Sequence, residues 1–227
     1  MDIDRVTIIG TECSVCGGNE YRPGFKGRMV NGKAPECATC GSAERHRIIR
    51  RMYNAIRPLT SEWTALQFAP DGSVTKQHFK SFDCSSYGGY NSMPMEKMTA
   101  ADGAYDIVIS NHVMEHVEDP IKSIQESLRV VGNNGFVHIC VPAPMFVWET
   151  TDWGFPDPKQ NEHFRIYGAD AGIVFARTGS CHCVAVIGLD DATAVQDVVY
   201  LLSRSTERLA AVTHTLQRNG FGVVRVA

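Results

Sequence analysis

Two hydrophobic periods share this chain. Short apolar runs of four to eight residues, WTALQFAP, KSFDCS, YDIVIS, GFVHICVP, CHCVAVIG and QDVVYLL, are spaced along its length and read as strands. Between them run stripes with helical spacing. Ile48, Ile49, Met52, Tyr53 and Ile56 share one face of a first helix, which Ser42 is expected to cap and Pro58 to end. Ile121, Ile124, Leu128 and Val131 share one face of a second, with Asp119 as cap, Pro120 at its first position and GNNG as its stop. YGADAGIVFART and TERLAAVTHTLQ read as later helices, and FGVVRVA as a last apolar segment. Alternation of strand and helix predicts an α/β domain built on a mainly parallel sheet.

Ahead of that pattern the chain changes character. Cys13, Cys16, Cys37 and Cys40 form C-x2-C-x20-C-x2-C, with glycine after each second cysteine and a Gly/Pro-punctuated stretch between the pairs. Each CxxC turn delivers two thiolates to one edge of a tetrahedron, and two such turns close the shell of a zinc ion with no position left for water. The spacing therefore predicts a structural zinc ribbon over 1–41, a basic connecting helix over 42–60, the main domain over 61–203 and a helix-and-strand extension over 204–227.

Composition adds little beyond that: 44% hydrophobic and 21% charged residues describe an ordinary globular chain. No apolar run approaches the roughly 20 residues that cross a bilayer, so a cytoplasmic location is expected. The net charge of -3 is uneven, with ten Lys/Arg against six Asp/Glu up to Pro58 and the acidic surplus after it. Arg45, Arg47, Arg50, Arg51 and Arg57 crowd the first helix, whose basic face is either solvated or, through Arg45 or His46, turned toward a carboxylate of a ligand. Cys84, Cys140, Cys181 and Cys183 lie in apolar surroundings and read as core filler.

In a parallel α/β sheet ligands bind beyond the carboxyl ends of the strands. That rule singles out Ala69 to Gly72, Asp83, Ser110 to His112, and the chain from Pro142 onward. The stretch YDIVISNHVMEHVEDP places His112 and His116 four residues apart with Glu115 between them. No third ligand stands near in sequence, so a metal site is not expected there. The long aromatic segment after the fourth strand, with Phe146, Trp148, Trp153 and Phe155, reads as a loop shaping a substrate pocket.

The run YDIVISNHVMEHVEDPIKSIQESLRVVGNNGFVHICVPAP resembles the central part of class I S-adenosylmethionine-dependent methyltransferases of the type 11 group, with its strand, HVxEHV turn, helix and strand ending in VP. ALQFAPDG is similar to a variant first loop found in a subset of them, and EHFRIYGAD to their HxRxYGxD stretch. The resemblance implies a Rossmann-like methyltransferase sheet behind the ribbon. It implies S-adenosylmethionine held by Phe68, Ala69, Pro70, Asp83, Ser110, Asn111 and His112, and an acceptor met by Arg45, Trp148, Trp153, Phe155, Arg165 and Tyr167. If the acceptor needs a base, His112 is the first candidate and His163 the second. The first loop departs from the family pattern, because Gln67 stands where an acid is usual and Gly72 alone supplies flexibility. The reaction expected is O-methylation of a small molecule or sugar in a biosynthetic pathway; an RNA acceptor gripped by the ribbon, and a binding module without catalysis, are the alternatives.

Overall fold

The computed structural model describes residues 6–7, 11–142, 144–177 and 181–226. Strands β1 (Val6–Thr7), β2 (Glu20–Arg22) and β3 (Glu36–Cys37) pair antiparallel into a small front sheet. Helix α1 (Glu44–Thr60) leads into β4 (Thr64–Phe68), β5 (Ser81–Ser85), β6 (Ile107–Asn111), helix α2 (Pro120–Val131) and β7 (Phe136–Cys140). A hairpin of β8 (Thr151–Asp157) and β9 (His163–Ile166) follows, then α3 (Ala171–Ala176), β10 (His182–Leu189), β11 (Gln196–Ser203), α4 (Thr206–Arg218) and β12 (Gly222–Arg225).

The main sheet has seven strands in the order β12-β10-β11-β7-β6-β4-β5. Pairings β4–β5, β4–β6 and β6–β7 are parallel, whereas β11 runs antiparallel to both β7 and β10. Because successive strand residues face opposite sides, Ala65, Ile107, Ile109 and Phe136 pack under α1 and α4, and Leu66, Val108 and Val137 pack under α2. Two cores on the two faces make a three-layer sandwich. Gly188 on β10 is needed for close approach, since a Cβ there would collide with the Ile48 side chain of α1. The tail is part of the sheet: β12 pairs with β10 as its edge strand.

Three local expectations are corrected. Ala43 rather than Ser42 caps α1, its amide donating to His46 Nδ1 at 2.9 Å, while the Ser42 hydroxyl lies 3.1 Å from Cys13 Sγ and 3.2 Å from Cys40 Sγ. Pro58 sits inside the last turn of α1, where its fixed φ is helical and only one backbone bond is forfeited, so the helix continues to Thr60. The segment expected to be one long loop after β7 contains the β8–β9 hairpin. The expected end of α3 at Thr178 lies outside the described residues, and no helix among those described is long and apolar enough to cross a membrane.

Candidate active site

β4 sits between β5, reached on one side, and β6, reached on the other, so the chain reverses its direction of travel across the sheet at this point. Such a switch point opens a crevice at the carboxyl ends of the strands. Two adjoining cavities fill it. One of about 260 Å³ is lined by Phe68, Ser85, Met93, Met95 and Val117; the other, of about 590 Å³, is lined by His112, Pro156, Glu162 and Phe164. Ala69, Tyr87, Val113 and His116 border both. The backbone turns sharply on leaving each central strand: Ala69 after β4 has φ +48° and His112 after β6 has φ +53°. Non-glycine residues held there cost roughly 1–3 kcal/mol each and persist where surrounding structure imposes them.

A buried chain of hydrogen bonds supplies that constraint. Tyr53 of α1 meets His138 Nδ1 at 3.0 Å, His138 Nε2 meets Asn111 Oδ1 at 2.9 Å, and Asn111 Nδ2 donates to Asp71 Oδ2 at 3.2 Å. Asp71 Oδ1 accepts from the Ser73 amide at 2.9 Å and the Ser73 hydroxyl at 2.6 Å. Every donor finds an acceptor when His138 is neutral with its proton on Nε2, and burial does hold its pKa down, at about 3. The carboxylate at the end of this chain keeps a depressed pKa despite burial, through its bonds to Ser73, the nearby His46 and Asn111. The first loop is thus tied to α1, β6 and β7 at once.

Three of the five arginines of α1 are spent on the rest of the chain, while Arg57 stays exposed. Arg47 forms a two-pronged pair with Asp190 at 2.7 and 2.8 Å, both side chains being almost fully buried, and Arg51 reaches Leu189 O and Asp191. Arg50 donates to the carbonyls of Gly72 and Ser73. Arg45 alone turns to the cleft, where with Arg28, Glu44, His112, Pro142 and Asp197 it lines a third cavity of about 270 Å³. Its Nε is buried without a hydrogen bond. Burial raises Asp197 to about 6 and Glu115 to about 7, and lowers His112 to about 3, with the charge of Arg45 adding to the last shift. Gln67 Oε1, Ser110 Oγ and Glu115 Oε2 are likewise buried and unpartnered, so the unmet polar atoms concentrate around the strand ends.

A family model described as "Methyltransferase domain" matches residues 37–171, more than half of the chain. The chain belongs to the S-adenosylmethionine-dependent methyltransferases. Among solved structures the methyltransferase is similar to a SAM-dependent enzyme of Thermotoga maritima described as a possible histamine N-methyltransferase. That pair shares 13% identity with a TM-score of 0.46, over 70% of this chain and 91% of that one. It is similar also to a SAM-dependent methyltransferase of Aquifex aeolicus, at 13% identity and a TM-score of 0.40, over 67% of this chain and 90% of that one. The curated proteins include no match.

Within the methyltransferase, Phe68, Ala69 and His112 border the cavities, and Ser110 and Asn111 lie buried at the end of β6. Pro70 is exposed beside them and lines neither of the two adjoining cavities. Asp83 is not brought to the cleft: it is the third residue of β5 rather than its end, exposed, and bonded by the Tyr105 hydroxyl at 3.0 Å. Two substrate-contact expectations are corrected. Arg165 is 2% exposed and spends its guanidinium on Asp152 and on the carbonyls of Met114, Val117 and Glu118; Tyr167 is buried with its hydroxyl on Met114 O. Both hold the HVMEHV turn instead. Trp148 and Phe155 are exposed, and Trp153 is half-buried with its indole N–H on His163 O; none of the three lines either of the adjoining cavities, while Pro156 and Phe164 of the same hairpin line the larger one. Asp71 belongs to the Ala69 to Gly72 loop that the sequence singles out, with no role of its own read there, and Asp197 carries no signal in sequence. In the front sheet, Cys13 and Cys40 sulfurs lie 3.8 Å apart and those of Cys16 and Cys37 3.7 Å apart. Thiolates bound to one tetrahedral zinc at about 2.3 Å are separated by about 3.8 Å, so the four fit that ion.

Proposed function

We propose that this methyltransferase transfers the S-adenosylmethionine methyl group to a hydroxyl oxygen of a small molecule or sugar. The observation that carries the reading is the pair of adjoining cavities: an apolar one edged by Phe68, Met93 and Met95, of a kind that takes a nucleoside, and a larger one with imidazoles on its wall. The residues at the bend suit the cofactor. Ala69 and Ser110 flank its path, and the unpartnered Gln67 Oε1 and Ser110 Oγ are an acceptor and a donor for its amino-acid end. When bound, the sulfonium supplies a methyl group that is already activated for in-line displacement. The chain's own work is therefore alignment, exclusion of water by the β8–β9 hairpin, and removal of the hydroxyl proton. In this reading His112, which borders both the larger cavity and the Arg45 cavity and is kept neutral by burial, takes that proton. A zinc ion held by Cys13, Cys16, Cys37 and Cys40 has a structural role, since Arg47 stacks on Tyr21 of the ribbon at 5.1 Å while pairing with Asp190 of the β10–β11 turn.

The test is transfer of a labelled methyl group from S-adenosylmethionine to a panel of polyols, sugars and phenols, beside total RNA. Label in a hydroxylated small molecule, lost in His112→Ala with cofactor affinity retained, is expected. Label confined to RNA, with a steep loss as salt rises, overturns the reading.

A further inference from the structure

The HVMEHV turn gains from β9 the partner that its own sequence lacks. Glu115, His116 and His163 each offer one ligand atom, and these atoms lie within 4.8 Å of one another. The Glu115 side chain is buried and its Oε2 has no hydrogen-bond partner, an arrangement that costs on the order of 1–3 kcal/mol or more unless something else meets that oxygen. The imidazoles of His116 and His163 meet edge to face with centroids 4.6 Å apart. His112 Nδ1 approaches the other Glu115 oxygen at 3.8 Å.

The surroundings hold this group in place from both sides. Arg165 donates to the carbonyls of Met114, Val117 and Glu118, and the Phe164 amide donates to Glu115 O at 2.8 Å, so β9 and the turn are locked together next to His163. His116 borders the larger cavity, where the acceptor is placed. Outer bonds that fix ligand-bearing backbone are what a metal centre requires.

We propose that Glu115, His116 and His163 form a divalent-cation site in the acceptor half of the cleft. The proposal rests on the methyltransferase reading of that cleft only for where the acceptor lies. Imidazole and carboxylate donors at about 2.0–2.2 Å from one ion stand at most about 4.4 Å apart. The present 4.8 Å closes by small rotations of exposed His116 and half-buried His163. Two imidazoles and one carboxylate suit Mn²⁺, Fe²⁺, Co²⁺ or Zn²⁺ and leave coordination positions open. An acceptor with two adjacent oxygens, a vicinal diol or a catechol, fills them as a chelate. The ion acidifies the bound hydroxyl; its proton passes to His112, the oxygen–methyl bond forms as the sulfur–methyl bond breaks, and sulfur keeps the electron pair as a thioether.

The experiment titrates Mn²⁺ into the full chain with zinc already loaded, reading free Mn²⁺ by electron paramagnetic resonance. Mn²⁺ stands at the weak end of the divalent affinity order and does not displace zinc from thiolates. About one Mn²⁺ per chain is expected, with at least a tenfold loss of affinity in His116→Ala and in His163→Ala. Melting temperature and S-adenosylhomocysteine affinity measured on His163→Ala are expected to match the wild type, which separates ligand loss from unfolding. No binding up to millimolar Mn²⁺, or binding that survives the His116→Ala/His163→Ala double variant, overturns the site. Mn²⁺ binding without S-adenosylhomocysteine binding upholds the cation site and removes the cofactor reading, so the two fail separately.

Discussion

Replacing Asp71 by asparagine probes the first loop with almost no change of shape. Its carboxylate accepts from the Ser73 amide and hydroxyl through Oδ1 and from Asn111 Nδ2 through Oδ2. In Asp71→Asn one side keeps its acceptor while the other presents an NH₂ to the Asn111 NH₂. Asn111 cannot turn over, because its Oδ1 is held by His138 Nε2 at 2.9 Å. The substitution thus deletes one charge-assisted bond and sets two donors face to face, a loss of about 1.5–3 kcal/mol. A loop that must recover that ordering when cofactor binds shows it as roughly 10- to 150-fold weaker affinity. Calorimetry with S-adenosylhomocysteine reads the change directly. Asp83→Asn is the comparison, expected to leave affinity unaltered because Asp83 is exposed and its carboxylate is met by the Tyr105 hydroxyl away from the cleft. A change below twofold in Asp71→Asn, or a larger one in Asp83→Asn, refutes the assignment of the first loop to the cofactor.

Asp190→Ala strands the buried Arg47 guanidinium and also removes acceptors from the Thr193 amide and hydroxyl. A loss of about 3–5 kcal/mol is expected, visible as a fall in melting temperature of roughly 6–20 °C, while Arg51→Ala at the exposed pair beside it shifts the melt by less than about 3 °C. Ala69→Gly relieves the left-handed backbone at φ +48° and should raise the melting temperature by about 2–3 °C; a comparable fall contradicts the strain. Acid sensitivity follows from His138, which faces the Tyr53 hydroxyl from α1, Asn111 from β6 and the charge of Asp71. Its folded pKa lies below that of the unfolded chain, so its contribution is complete above about pH 6.5 and falls as pH drops toward about 3, the loss amounting to about 2 kcal/mol at pH 5. Urea unfolding at pH 7.5 and 5 measures this, and His138→Gln should flatten the difference; an unchanged slope sinks it.

The main strands and helices were legible because each buries one or both faces: the Ile121, Ile124, Leu128, Val131 stripe and the runs YDIVIS and GFVHICVP carry a period that tertiary packing then uses. The ribbon was legible from spacing alone, since a tetrahedral ion dictates it. What stayed hidden depends on partners distant in sequence. Arg47 reads as a solvated residue of a basic helix until the β10–β11 turn supplies Asp190, 143 positions away. Arg165 and Tyr167, placed by resemblance against substrate, are drawn inward by carbonyls of the HVMEHV turn and of Glu118 just after it, 47 to 53 positions earlier. His163 could not be joined to Glu115 and His116 without the hairpin that the aromatic, proline-rich segment conceals. Trp148 and Phe155 looked like pocket walls on residue type, yet the pleat of β8 and the turn before it leave them in solvent.

Where the cofactor lies decides what this cleft does. A structure of the chain with S-adenosylhomocysteine tests it most directly: the adenosine is expected between Phe68, Met93 and Val117, with the amino-acid end running past Ala69 toward Gln67 and Ser110 and the sulfur facing His112. Density for the ligand anywhere else, or an empty cleft at millimolar ligand, contradicts it.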